Sequence, residues 1–91
     1  MTLSKLTGDK VSKYDTLKEY LASQTKNQLV LTFQEIESSL KIILPASARK
    51  HRAWWGNDIS HTQARNGWLA ANYEVASVEI PKGIVKFERI R

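Results

Sequence analysis

The chain has 91 residues, of which 42% are hydrophobic and 25% are charged, and its formal net charge is +5. This composition is typical of one small globular domain and excludes a largely disordered chain. The lack of cysteine excludes disulfide bonds and thiolate metal ligands, and no apolar run approaches the roughly 18 residues that a membrane-spanning helix needs. We therefore expect a cytoplasmic protein without a membrane partner.

The positive charge lies mainly in the second half of the chain. Residues 1–45 contain six lysines and five acidic residues, whereas residues 46–91 contain eight lysines and arginines and four acidic residues. Such an excess of cations favours an anionic partner, either a nucleic acid or an acidic protein surface.

The domain is expected to begin after a polar N-terminal segment. Residues 1–13 contain few apolar side chains, which predicts a flexible N-terminal arm followed by a single domain over residues 14–91. Apolar residues at helical spacing predict a first helix over residues 16–23. The apolar run 29–31, bounded by polar residues, predicts a short buried strand.

Two capping boxes are expected to start helices. Thr32 and Glu35 have the required spacing, so a second helix should begin directly after the strand. Pro45 suits the first position of a short third helix. Ser60 and Gln63 form the second candidate box, which predicts another helix after the turn at 56–58.

The end of the chain predicts a pair of strands. Residues 73–80 and 84–90 are rich in β-branched and apolar side chains, and 81–83 reads as the turn between them. The apolar face of the first strand changes between Val75 and Ala76, which predicts a β-bulge. The fold class is α+β: a small winged-helix-like domain with three or four helices and an antiparallel sheet closed by a C-terminal β-hairpin. A compact α+β domain of another arrangement fits the same order of elements.

The segment 47–65 is the strongest candidate for a functional site. It contains both histidines, two of the three tryptophans, four lysines and arginines, and a single acidic residue. Several cations within one or two helical turns suit the phosphate backbone of DNA. Arginine can also read guanine, and Asn57 or Gln63 could read adenine. The predicted nucleic-acid-binding residues are Ser47, Arg49, Lys50, His51, Arg52, Trp55, Asn57, His61, Gln63 and Arg65.

The adjacent tryptophans Trp54 and Trp55 should have different roles. Successive side chains point in different directions in either a helix or a strand, so we expect one indole in the core and one partly exposed. We take Trp54 as the buried indole and Trp55 as the one that contacts a base. Trp68, four residues after Ala64, is expected in the core.

The same residues fit other classes of function. His51 and His61 are too few for a zinc site, and we expect neither a metal nor another cofactor. The two histidines could instead serve as acid and base in a metal-independent ribonuclease, although we expect a binding protein and not an enzyme. A protein-interaction module, an inhibitor or adaptor, could use the same basic and aromatic surface, and the chain could form a homodimer.

Several stretches resemble one family. They are Tyr14-Asp-Thr-Leu-Lys-Glu-Tyr-Leu21, Leu31-Thr-Phe-Gln-Glu-Ile-Glu37, Leu44-Pro-Ala-Ser-Ala-Arg-Lys-His-Arg-Ala-Trp-Trp-Gly-Asn-Asp58 and Gln63-Ala-Arg-Asn-Gly-Trp-Leu69. This pattern is similar to a small, poorly characterised prokaryotic and phage domain family whose members occur alone or beside nuclease and DNA-modification modules. The resemblance implies a DNA-related setting, in restriction, phage biology or regulation, and carries over no assigned site residues.

Overall fold

The helices and strands follow one another in nearly the expected order. The computed structural model describes residues 14–90, so the predicted arm 1–13 lies outside the described residues. The helices are α1 (Asp15–Ala22), α2 (Phe33–Leu40), α3 (Ala46–Lys50), a 3-10 helix (Arg52–Trp55) and a last helix (62–71) that contains a π-helical segment (Ala64–Trp68) and a 3-10 turn (Leu69–Ala71). The strands are β1 (Gln28–Thr32), β2 (Tyr73–Glu79) and β3 (Ile84–Arg89).

The three strands form one antiparallel sheet in the order β1-β3-β2. Strand β3 therefore lies in the centre and pairs with both neighbours: Phe87 is opposite Leu29 on one side and Val75 on the other. The register of β2 shifts between Val75 and Ser77, which confirms the predicted bulge. The structure is a mixed fold of helices and a three-stranded sheet, as the sequence predicted in its coarse outline. No helix within residues 14–90 is long and apolar enough to cross a membrane.

The first capping box forms as predicted. The Thr32 hydroxyl accepts a hydrogen bond from the Glu35 amide at 3.0 Å, and the Glu35 carboxylate accepts one from the Thr32 amide at 2.8 Å. Helix α2 therefore begins at the end of β1, and it buries Phe33 and Ile36 against the sheet. Its last residue is followed by Lys41 in the left-handed region, with φ of 61°, which ends the helix.

Two predicted helix starts differ from the structure. Pro45 stands one residue before α3 and not at its first position. The second capping box is absent, because the Gln63 amide group donates to the Trp54 carbonyl at 2.8 Å and Asp58, not Gln63, bonds to Ser60. The carbonyl of His61 instead accepts from the amides of Ala64 and Arg65 and starts the last helix.

Four aromatic rings link the helices to the sheet. Trp55 stacks between Phe33 of α2 and Trp68 of the last helix, with ring centroids 5.2 and 5.7 Å away. Trp68 in turn contacts Phe87 of β3 at 5.9 Å. We call Phe33, Trp55, Trp68 and Phe87 the aromatic column. Offset aromatic pairs add to the stabilisation from burial, so the column fixes the segment 52–55 on the core.

Candidate nucleic-acid interface

Trp55 is a core residue, which corrects the expected roles of the two tryptophans. Its side chain is only 2% exposed, and its indole nitrogen donates to the Ala48 carbonyl at 2.8 Å. Trp54 is the half-buried one. The expectation that Trp54 is buried and that Trp55 contacts a base is therefore wrong. The reason is that Phe33 and Trp68 sandwich Trp55, and both come from other elements.

Asn57 connects the segment to the edge of the sheet. Its amide oxygen accepts from the Val75 amide at 2.8 Å and from the Trp68 indole at 2.9 Å, and its amide nitrogen donates to the Val75 carbonyl at 2.9 Å. The side chain thus pairs with β2 as a neighbouring strand would. Adenine recognition by Asn57 would require these three hydrogen bonds to break, so the geometry favours a structural role.

Arg49 forms an ion pair with Glu37, a residue 12 positions earlier in the chain. Its guanidinium contacts the carboxylate of Glu37 in α2 and lies 5.8 Å from the centre of the Phe33 ring. The second oxygen of Glu37 accepts a hydrogen bond from the Leu44 amide at 3.0 Å. Glu37 therefore holds α3 and the preceding loop against α2, and Arg49 contributes to that junction.

The next three residues form an exposed basic run. Lys50, His51 and Arg52 are all exposed, and within residues 14–90 neither Lys50 nor Arg52 forms an ion pair. Arg52 lines a depression together with Lys82 of the turn between β2 and β3. Lys82 lies 3.9 Å from Glu79, a distance at which an exposed ion pair is weak. The fold thus brings Lys82, which the sequence did not single out, to the basic run.

A hollow of about 460 Å³ separates this run from the last helix. Both histidines contribute to its wall, together with the half-buried indole of Trp54. The complete lining is Ser47, His51, Ala53, Trp54, His61 and Gln63. Four predicted site residues, Ser47, His51, His61 and Gln63, are therefore brought together. The Nδ1 atom of His61 is buried and has no hydrogen-bond partner among the described residues.

Arg65 lies in the last helix, four residues after His61. Its amide nitrogen donates to the His61 carbonyl at 2.9 Å, and its guanidinium donates to the Ile59 carbonyl at 3.0 Å. The guanidinium is exposed and retains further donors. Arg65 is the only charged residue of the last helix (62–71).

The turn before the last helix is held by Asp58. Its carboxylate accepts from the Ser60 amide at 2.9 Å, and its carbonyl accepts from the His61 amide at 2.9 Å. Hydrogen bonds from the backbone and then the side chain of Ser60, with the nearby charge of His61, hold the pKa of Asp58 below its ordinary value. The ionised carboxylate thus stabilises the turn above the ordinary pKa, and this stabilisation is lost as the pH falls through the lowered pKa.

A family model described as "Domain of unknown function (DUF7662)" matches residues 14–90. The chain belongs to this family. The match covers nearly the whole chain, and it confirms the expected membership in a poorly characterised domain family. No curated protein and no solved structure matches the chain significantly.

Proposed function

We propose that the chain is a module that binds duplex DNA through a basic surface made of Lys50, His51, Arg52, Arg65 and Lys82. The observation that carries the proposal is the exposed run 50–52, in which neither Lys50 nor Arg52 is paired with an acid within residues 14–90, beside Lys82. Cations without protein partners can neutralise phosphates at little desolvation cost and release the counterions condensed on DNA.

The arrangement of these cations supports contact with more than one phosphate. Lys82 and Arg52 line one depression together with Glu79 and Pro81, and His51 lines the hollow. Arg65 lies in the last helix four residues after His61, which lines the same hollow, and its guanidinium is exposed. These exposed cations can each contact a different phosphate.

The fold supports a winged-helix-like reading of this surface. The sheet order β1-β3-β2 and the position of the last helix before β2 are the observations that support this proposal. Under this proposal the last helix approaches the DNA and the turn at 80–83 acts as the wing. Arg65 is the only charged residue on that helix, so phosphate contacts are expected to contribute more than base reading.

The biological setting rests on the family resemblance. The motif Leu44-Pro-Ala-Ser-Ala-Arg-Lys-His-Arg-Ala-Trp-Trp-Gly-Asn-Asp58 contains the exposed basic run. We propose a prokaryotic or phage protein that acts in the cytoplasm, alone or beside nuclease and DNA-modification modules. No cofactor is required by a binding role of this kind.

A salt titration tests the proposal. Three or four phosphate contacts at about −0.9 each predict a slope of about −3 to −4 for the logarithm of the binding constant against the logarithm of the salt concentration. The measurement uses a duplex of mixed sequence and fluorescence anisotropy. Failure to bind any duplex at ~50 mM salt, where such contacts are strongest, would overturn the proposal.

A protein partner is the second candidate, and one observation favours it. Ile59 is 70% exposed, and its carbonyl accepts the hydrogen bond from Arg65, so a large apolar side chain stands at the border of the basic surface. An apolar contact of this kind would bind an acidic protein or a second copy of the chain with little dependence on salt. Retained partner binding at high salt, without DNA binding, would select this alternative.

A metal-independent ribonuclease is the third candidate. His51 and His61 line one hollow, as an acid and base pair acting on one phosphodiester would require. We propose binding and not catalysis. RNA cleavage by the purified protein in the presence of a chelator, lost on replacing both histidines by alanine, would reverse this choice.

A further inference from the structure

The hollow between His51 and His61 has a form that the phosphate contacts alone do not require. It is an open depression of about 460 Å³ and not an enclosed pocket. A phosphate contact needs only exposed cations, whereas this hollow is walled by an indole, two imidazoles, a hydroxyl and an amide. These are groups that recognise a flat heteroaromatic ring with polar edges.

We propose that the hollow receives one unpaired base of DNA. This inference rests on the proposed DNA-binding function, and it specifies which part of the DNA enters the hollow. An unpaired base can leave the helix stack at low cost, because it has no partner to lose. The basic surface would then hold the flanking phosphates while the base enters the hollow.

Trp54 supplies the aromatic surface for this base. Its indole packs edge-on against Tyr14 and Trp55, with ring centroids 6.2 and 4.7 Å away, and is fixed from behind by these rings. The same side chain remains half-buried and lines the hollow. An indole that its neighbours hold in place loses little conformational entropy when a base stacks on it.

Polar groups in the hollow suit the edge of a base. His51 and His61 both line the hollow, and an imidazole ring can donate or accept a hydrogen bond. Ser47 and Gln63 add a hydroxyl and an amide at the same wall. The Gln63 amide nitrogen already donates to the Trp54 carbonyl, so this residue also fixes the backbone beneath the indole.

The position of the cations fits the same occupant. Lys50 precedes His51, and Arg52 follows it, so two unpaired exposed cations flank a wall residue of the hollow along the chain. The phosphates on either side of an unpaired nucleotide lie next to its base. The proposal assigns Lys50 and Arg52 to phosphates near the unpaired nucleotide.

The test compares three DNA duplexes of the same sequence: one fully paired, one with a single bulged thymidine, and one with an abasic residue in the bulge. The bulged base should tighten binding of the wild-type protein by about 5- to 150-fold, the range expected for one base stacked on an aromatic side chain. The abasic bulge should lose that gain, because it bends and loosens the duplex equally but has no ring to stack.

Two variants add a test on the protein side. Trp54→Leu removes the stacking surface, and Ala53→Leu narrows the hollow from an exposed position, so each should bring the ratio of affinities for the bulged and abasic duplexes towards one. Melting curves check that each variant is folded. If Trp54→Leu does not fold, the wild-type comparison and Ala53→Leu still decide the question.

The outcomes separate this inference from the function on which it rests. Equal affinity for all three duplexes, or an equal gain from the abasic bulge, overturns the base site and leaves duplex binding intact. No binding to any duplex overturns both. Tighter binding of the same bulge in an RNA duplex than in DNA overturns the assignment to DNA.

Discussion

The segment 47–65 divides into an inner and an outer set of residues that differ in how their polar groups are used. In the inner set, the side chains of Trp55 and Asn57 form hydrogen bonds to α3, to β2 and to the last helix. In the outer set, Lys50 and Arg52 are exposed and form no ion pair within residues 14–90. Under the proposed function, one short motif contributes to both folding and DNA binding, and residue type alone does not show which of its residues has which role.

The largest expected effect is on the inner set. Trp55→Ala should lower the free energy of unfolding by about 3–5 kcal/mol, because it opens a cavity in the aromatic column and leaves the Ala48 carbonyl without its indole donor. Urea denaturation measures the change. Trp54→Ala is the matched control and should cost clearly less, since its side chain is only half-buried. Equal losses would mean that both indoles are core residues.

Asn57→Ala should cause the second-largest loss of stability. It removes three hydrogen bonds and leaves the buried indole nitrogen of Trp68 without an acceptor, which should cost about 1–3 kcal/mol. Asn57→Asp keeps an acceptor for Trp68 and Val75 and should cost less. A variant with unchanged stability but reduced DNA binding would restore the adenine-reading role that the geometry disfavours.

The outer set should affect binding and not folding. The double variant Lys50→Gln and Arg52→Gln should make the salt slope of DNA binding less negative by about 2, because two phosphate contacts are lost. Its unfolding free energy should stay within about 0.5 kcal/mol of the wild type, as is usual for surface substitutions. Replacing Lys18 and Lys26 by glutamine changes the net charge equally and serves as the control. If both double variants shift the slope alike, only the overall charge matters.

The smallest expected effect lies at the border between the two sets. Arg49→Gln breaks the partly exposed ion pair with Glu37 and should cost about 0.2–1 kcal/mol of stability. The salt slope should remain unchanged, since the Arg49 guanidinium is engaged with Glu37. A shift of the slope by about 1 would instead assign Arg49 to the DNA contact.

Local chemistry predicted the parts of the fold that depend on near neighbours. The capping box at Thr32 and Glu35 and the bulge at Val75 follow from residues within a few positions of one another, and both are present. The left-handed Asn72, with φ of 68°, ends the last helix, and asparagine is one of the residues that adopt this conformation most readily. Such features need no knowledge of the rest of the chain.

The candidate site was less predictable because its contacts come from distant elements. Successive residues diverge by about 120° in a 3-10 helix, so the sequence could place one tryptophan inside but could not say which. Phe33 and Trp68 determine the choice, from 22 residues before and 13 after Trp55. Glu37 pairs with Arg49, and Lys82 lies beside Arg52, for the same reason.

The central position of β3 has a consequence for synthesis of the protein. Both β1 and β2 pair only with β3, and β3 follows them in the chain. On the ribosome, β1 and α2 therefore emerge with their sheet partner still untranslated, and Phe87 is missing from the aromatic column. The sheet can close only after residue 89 has left the exit tunnel. From the time β1 leaves the tunnel until β3 follows, the nascent chain consequently exposes the apolar side chains of β1 to chaperones and proteases.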